Sequence, residues 1–293
     1  MRVHIIGAGL AGAIMARRYK DAGHEPIVYE RDRVMGACWE NKDYQLYPHF
    51  FHTNVDEVMA FVLQYTTINP YRHLGTNYSD GEYFVFPPKE INEKIRDKSF
   101  APYNIKMWHD VPKKNVIKRI KPSNGCLHSD KYQGVLDIPK LFDNLLDGIE
   151  VKIGFDITTK HDFKGVKVIL TGAVDEYYEY MYGKLPYRGM QVSHLKTETG
   201  LPTATVNFPE SDFPFIRMTD YRKFGYGNYI GIEAPCDDIK HYPIENEESE
   251  KLYNKYRKKA VKDDITLVGR LARYKYQDMD IVINDCLEVQ IKE

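Results

Sequence analysis

Gly7, Gly9 and Gly12 are the residues whose spacing speaks most directly of chemistry. They stand behind Val3-His4-Ile5-Ile6, a mostly β-branched run, and ahead of Ala13 to Tyr19, a stretch of helical character. A strand, a glycine turn and a helix N-terminus predict a pyrophosphate site. Gly7 permits the tight turn, Gly9 lets backbone approach the phosphates, and Gly12 lets helix pack on strand. Leu10 and Ala11 share this loop, where unpaired N–H groups attract an anion. Pro26-Ile27-Val28-Tyr29 predicts a second strand ending in Glu30, 18 residues beyond Gly12. A carboxylate there reaches a ribose hydroxyl. FAD and NAD fit this pattern equally. Arg31 and the small-residue turn Met35-Gly36-Ala37-Cys38 follow, and the turn offers backbone to the same ligand.

Other residue types add possibilities. His49 and His52 lie three apart, but Pro48 and the helix start after them place both in a loop or strand. With no third ligand nearby in sequence, the pair predicts no metal and instead a histidine beside cofactor or substrate. Cys38, Cys126, Cys236 and Cys286 form no CxxC pair, so they predict buried thiols rather than zinc or a redox couple. The 23 tyrosines suit sugars and nucleobases as stacking faces with hydroxyls, and equally suit β-sheet.

The elements that must position these residues follow from pattern. Thr53 or Asn54 predicts the N-cap of a helix over Val55 to Tyr65. Tyr71 to Tyr78 and Tyr83 to Phe86 predict a hairpin about Ser79-Asp80-Gly81, stopped by Pro87-Pro88. Lys89 to Asp97 predicts a short helix, and residues 98–135 an irregular segment carrying Tyr103, Trp108 and Tyr132. Ile138 to Leu146 has helical spacing. Val151 to Ile157 and Val166 to Leu170 predict strands that extend the parallel sheet. Residues 186–234 change to alternating strands such as Thr203 to Phe208 and Asn228 to Glu233, an antiparallel region. Asn246 to Lys262 predicts a charged helix with a solvated face. Ile265 to Val268, Gly269-Arg270 and a helix over Asp278 to Val289 bring back a strand–glycine–helix unit.

Composition limits the function. With 43% apolar residues and a formal net charge of −1, the chain is globular, and bulk charge does not drive nucleic-acid binding. No apolar run reaches transmembrane length and no signal-peptide pattern precedes the first strand. The expectation is a cytoplasmic protein with no membrane or nucleic-acid partner.

Several segments together resemble the flavoprotein UDP-galactopyranose mutase family over nearly the whole chain. The glycine loop is similar to its FAD loop, and Pro48-His49-Phe50-Phe51-His52-Thr53 to its PHIFHT segment. Trp108, Val116-Ile117-Lys118-Arg119-Ile120 and Lys131-Tyr132-Gln133-Gly134 match its tryptophan, VxxRI and KYQG stretches in order. Thr171-Gly172-Ala173-Val174-Asp175-Glu176-Tyr177 is similar to TGPIDEYF. The stretch from Gly269-Arg270-Leu271 through Tyr274 and Tyr276 to Asp278-Met279 is similar to GRLxxYxYxDM.

The resemblance implies interconversion of UDP-galactopyranose and UDP-galactofuranose through an adduct between N5 of reduced FAD and C1 of the sugar. This is covalent catalysis by the cofactor. It implies His49, Arg119 and Arg217 as the residues of the catalytic centre. Gly7, Gly9, Leu10, Ala11, Gly12, Glu30, Arg31, Gly36, Ala37, Cys38, His49, Gly172, Gly269, Arg270, Asp278 and Met279 would hold FAD. Phe86, Tyr103, Trp108, Arg119, Tyr132, Asn207, Arg217, Tyr242, Tyr276 and Asp278 would face the UDP-sugar, with arginines toward the anionic pyrophosphate. An external reductant such as NADPH is implied. The alternatives are a mutase of a related UDP-sugar, such as UDP-arabinopyranose, and an amine-oxidase-like FAD oxidoreductase.

The chain also departs from the family pattern. Tyr47 replaces the glycine before the PH pair, Gly36-Ala37-Cys38 replaces GGN, and Arg119-Ile120-Lys121-Pro122-Ser123 lacks a second arginine. Gln191 stands for another arginine, while Arg188 is retained. The segment between Phe86-Pro87 and Tyr103 is much shorter than usual. The family places a helical domain there, used for uridine contacts and, in bacterial members, for dimerisation; this chain keeps one helix of it, so the resemblance does not carry a homodimer over. The expected class is α/β: a Rossmann-like FAD-binding parallel sheet with an inserted antiparallel β-sheet region and a reduced helical insert. Residues 1–70, 134–182 and 262–293 would form the FAD-binding part, 88–133 a shortened helical or loop region, and 71–87 with 183–261 the antiparallel substrate part.

Overall fold

The computed structural model describes residues 1–39, 46–90, 99, 101–109, 126, 128–161, 163 and 165–291. The opening run forms β1 (Arg2–Ile6), buried from Val3 onward as expected for a strand covered on both faces. It is the centre of a five-stranded, wholly parallel sheet. On one side lie β2 (Glu25–Glu30) and β8 (Glu150–Ile153), on the other β9 (Lys167–Leu170) and β15 (Ile265–Leu267). The last strand comes from the far end of the chain, so the sheet closes only when the intervening chain has folded back.

A second sheet contains β5 (Gly75–Ser79), β6 (Glu82–Phe86), β10 (Tyr187–Lys196), β11 (Thr205–Asn207), β12 (Arg217–Asp220), β13 (Tyr229–Cys236) and β14 (Tyr242–Pro243). Its order is β14-β10-β13-β12-β11-β5-β6. It is mixed rather than purely antiparallel: β11 runs parallel to β5, because the two strands come from separate stretches and no hairpin joins them. A small third sheet pairs β7 (Tyr132–Leu136) with β3 (Phe51–Thr53) and β4 (Ile68–Pro70), both antiparallel to it.

The helices of eight or more residues among the described residues are α1 (Leu10–Asp21), α2 (Asp56–Tyr65), α3 (Ala101–Trp108), α4 (Ile138–Leu146), α5 (Glu247–Lys262) and α6 (Met279–Glu288). Helix α1 starts at Leu10, earlier than the pattern predicts, and takes Gly12 into its first turn. Its residues Ala13, Ile14, Met15 and Ala16 are all fully buried, enclosed by the sheet, α4 and α6. Each large side chain so covered contributes about 1.5–3 kcal/mol. Arg18 donates to the carbonyls of Cys286 and, at 2.9 Å, Val289, so the first helix caps the end of the last.

Other expectations need correction. The residue at the N-cap of α2 is Val55, with no side-chain cap. Thr53 instead accepts from the Val55 N–H at 3.1 Å through Oγ1, and Asn54 bonds Asp130. The segment 98–135 is not irregular throughout, since it contains α3 and the start of β7. The strand predicted over Val151 to Ile157 stops at Ile153, where Gly154 turns at φ +84°. The hairpin's first strand begins at Gly75, not Tyr71. The helix predicted over Lys89 to Asp97 lies almost wholly outside the described residues. No helix among the described residues is long and apolar enough to cross a membrane.

Candidate active site

A cavity of about 1770 Å³ opens between the carboxyl ends of the parallel strands and the second sheet. Ile6, Gly7, Tyr29, Glu30 and Leu170 line it from the parallel side, and Arg217, Glu233 and Tyr242 from the other. Ligands of open α/β sheets bind at such strand ends. The volume exceeds the roughly 300–1,000 Å³ of a single small-molecule site, so it has room for a dinucleotide and a second ligand.

The glycine loop is shaped for the first of these. Gly7 turns at φ +105°, a conformation that penalises any side chain. A Cβ on Gly12 would lie 1.9 Å from the Gly7 carbonyl oxygen, so Gly12 packs helix on strand and does not line the cavity. Gly9 and Gly172 have nothing within 4 Å of a built Cβ, which leaves open space on the cavity side of the loop. Gly9 is the N-cap of α1 without a side-chain cap, and Leu10 and Ala11 line the cavity behind it. Glu30 accepts from the Ala8 N–H at 2.8 Å and the Asp32 N–H at 2.9 Å, so its carboxylate also holds the loop. Arg31 pairs with Glu176 at 2.8 Å. The turn carrying Gly36, Ala37 and Cys38 bonds back to the loop, Met35 N–H to Ala8 O at 3.0 Å. Gly269, at φ +85°, packs on Ala11. Arg270, Asp278 and Met279 reach the same cavity from the C-terminal unit. This cradle fits a dinucleotide phosphate.

His49 lines the same cavity, with Nδ1–H donating to the Tyr47 carbonyl at 2.7 Å. Burial pushes its pKa down to about 4, and Arg270 acts in the same sense, so the imidazole is neutral at ordinary pH.

Another part of the lining is aromatic and cationic. Tyr242 and Tyr276 stack at 5.7 Å, and Trp108 meets both edge-on. The Arg270 guanidinium lies 4.7 Å from the Tyr242 ring centroid. Trp108 arrives on α3, whose last turn is pinned: Arg188 donates to the carbonyls of Met107 at 2.8 Å and Lys106 at 2.9 Å. Tyr103, on the same helix, packs with Trp108 and Tyr242 about Met107, Met190 and Ile216. Arg217 also reaches the cavity and holds Glu233 through two hydrogen bonds of 2.8 and 2.5 Å. Burial opposes its charge, but the carboxylate outweighs this and raises its pKa above the arginine norm.

Not every expected residue lines this space. Asn207 is buried opposite Arg217 in register, its amide donating to Asn77 at 2.9 Å. Phe86 is buried in β6 opposite Gly75. The Tyr132 hydroxyl donates to Asp56 at 3.0 Å, at the start of α2. None of these three is a lining residue, and neither is Tyr103 or Trp108, which only back Tyr242 and Tyr276 from outside the lining. Arg119 lies outside the described residues.

Sequence reasoning missed Glu233 and His241. Glu233 is an acid at 1% exposure inside a mostly apolar strand, and that incongruity was its readable signal. His241 had none. A third possible ligand does come near His52: His52, His128 and Asp130 have donor atoms within 4.8 Å of one another. The two imidazoles are stacked 3.7 Å apart and nearly parallel, however, and Asp130 already bonds His52 and Asn54. Parallel rings do not converge on an ion, so the cluster is assigned no metal.

Comparison with known proteins gives the family and the fold. Residues 98–276 match the family described as UDP-galactopyranose mutase, and residues 5–65 match a NAD(P)-binding Rossmann-like domain. The chain is 27% identical to a dTDP-fucopyranose mutase from Escherichia coli, covering 98% of this chain and 97% of that protein. It is 26% identical to a probable UDP-galactopyranose mutase from Klebsiella pneumoniae, covering 98% and 93%. An oxidoreductase structure from Methanosarcina mazei superimposes with a TM-score of 0.60 at 14% identity, covering 98% and 99%, and shares the fold. The alignment with the Escherichia coli protein spans 371 positions against the 293 residues here, so that relative carries segments this chain lacks.

Proposed function

Because the chain belongs to the UDP-galactopyranose mutase family, whose members imply a flavin cofactor, we propose that it interconverts UDP-galactopyranose and UDP-galactofuranose with reduced FAD. The observation that carries this reading is one large cavity lined by both a glycine loop suited to phosphate and a cationic, aromatic cluster. An oxidase acting on a small amine has no need of that second, phosphate-suited cluster.

When bound, reduced FAD supplies at N5 the nucleophile for the anomeric carbon. The protein's own groups bind and orient. Arg270 and Arg217 present fixed positive charge to the departing diphosphate, Arg217 through the N–H donors that Glu233 leaves over. Tyr242 and Tyr276 add hydroxyl donors, and Trp108 and Tyr103 back these two rings and hold them in place. Neutral His49 lies beside the flavin position without adding charge there. In this reading residues 1–70, 134–182 and 262–293 hold FAD, 71–87 and 183–261 hold the sugar nucleotide, and 88–133 supply the helix bearing Tyr103 and Trp108.

The test is incubation of the purified flavoprotein with UDP-galactofuranose, with and without dithionite, followed by chromatography of the sugar nucleotides. Conversion only under reduction is the expected result. No conversion under reduction, with oxygen consumed on an amine, would overturn it. The name of the Escherichia coli relative favours one second reading, a dTDP-6-deoxyhexose as substrate, and the furanose form of dTDP-fucose run in parallel separates the two.

A further inference from the structure

His241 lines the cavity directly before Tyr242, and its backbone N–H donates to the Arg188 carbonyl at 3.2 Å. The peptide of Met190 is bracketed by two cavity residues. Its N–H donates to His241 Nδ1 at 3.1 Å, and its carbonyl accepts from the Tyr47 hydroxyl at 2.8 Å. A backbone N–H can only donate, so His241 Nδ1 is the bare nitrogen and the proton of the neutral ring is on Nε2. Burial, reinforced by Arg270, pushes the His241 pKa down to about 4, which keeps the ring in that neutral form. The Tyr47 ring packs edge-on against the imidazole at 4.8 Å and fixes its plane.

Nε2 has no hydrogen-bond partner among the described residues, and it is not among the buried polar atoms sealed from solvent. It is therefore accessible to solvent, and His241 lines the cavity. The surroundings choose its partner. The adjacent Tyr242 carries the Arg270 guanidinium over its face, so the local field favours an anion. The dinucleotide phosphates have their own N–H donors at the glycine loop.

We propose that His241 is a substrate-binding residue whose Nε2–H donates to a diphosphate oxygen of the sugar nucleotide. The proposal rests on the sugar-nucleotide reading above. Tyr47 and His241 act as one unit in it: the tyrosine, which stands where the family resemblance places glycine, holds the imidazole to the Met190 peptide. A neutral donor beside an arginine adds directional recognition without another charge to desolvate.

The test measures binding of UDP, dTDP and uridine to the FAD-loaded protein and to His241→Phe and His241→Gln. Phenylalanine keeps the packing and removes the donor, while glutamine can place an amide N–H near the Nε2 position. Flavin absorbance and content should be the same in all three proteins. Loss of a hydrogen bond to a charged group predicts a Kd for UDP and dTDP at least about tenfold higher in His241→Phe. Uridine binding should be unchanged, and glutamine should restore most of the diphosphate affinity. Unchanged UDP affinity in His241→Phe would overturn the proposal. So would an equal loss for uridine, or a glutamine variant as weak as phenylalanine. Failure of the wild-type protein to bind either diphosphate would instead sink the sugar-nucleotide reading and this inference with it.

Discussion

Arg217 and Glu233 face each other across adjacent strands of the second sheet, β12 and β13, as register partners joined by two parallel hydrogen bonds of 2.8 and 2.5 Å. The acid is buried at 1% exposure, while the arginine side chain keeps 29% and reaches the cavity. Thr219 also donates to the Glu233 carboxylate, at 3.0 Å. Glu233 is thus a fixed base for the guanidinium, aiming it at the cavity instead of leaving a long side chain to find its own rotamer.

This pairing changes what Arg217→Ala should do. Removing the arginine leaves a buried, uncompensated carboxylate, which costs about 3–5 kcal/mol. The variant should therefore lose thermal stability as well as turnover. Arg217→Gln with Glu233→Gln removes both charges together and should recover most of the stability while leaving turnover at least about a hundredfold down. Differential scanning fluorimetry with reduced-enzyme kinetics checks both. Turnover returning with stability would mean that Arg217 serves the fold alone.

Two glycines of the cofactor loop should separate binding from folding. Gly9 has an extended backbone at φ −77° and ψ −174°, which alanine adopts, and its Cβ would meet nothing within 4 Å. Gly9→Ala should leave apoprotein stability within about 1 kcal/mol of wild type yet weaken flavin binding at least tenfold, because the methyl enters the phosphate space. In Gly12→Ala the methyl meets a backbone oxygen at 1.9 Å, so the fold itself should lose about 1–3 kcal/mol or more. Apoprotein melting and flavin titration distinguish the two. Equal flavin affinity in Gly9→Ala would mean that the phosphates lie elsewhere.

Histidine burial sets an acid limit. Burial pushes His49, His128 and His241 from 6.5 down to about 4, and holds His73 well below the ordinary histidine range. The unfolded chain binds protons at these sites first as pH falls. Their contribution is complete above pH 6.5 and is lost as pH drops toward 4, at up to about 1.4 kcal/mol per unit for each histidine. Melting temperature of the apoprotein should fall steeply across that window, and His128→Asn should flatten the slope. A level profile from pH 6.5 to 4.5 would contradict the buried neutral assignments.

Local sequence determined the parts of this protein whose geometry is local. The opening strand, its glycine turn and Glu30 could be read directly, because a tight turn and a helix N-terminus need particular residues at fixed short spacings. The strand–glycine–helix unit at Gly269 was legible for the same reason, and the order of several short segments sufficed to suggest the family. Register and long-range packing were decided only in three dimensions. No spacing rule joins Arg217 to Glu233, since their strands meet through sheet pairing. None places His241 on the Met190 peptide, or turns Tyr132 toward Asp56 and away from the cavity. Helix α3 was read as irregular because its anchors come from Arg188 and from the carbonyls of Phe208 and Glu210, which hold Lys106. Those contacts lie about eighty or more residues away in the chain, and short-range propensity does not register them.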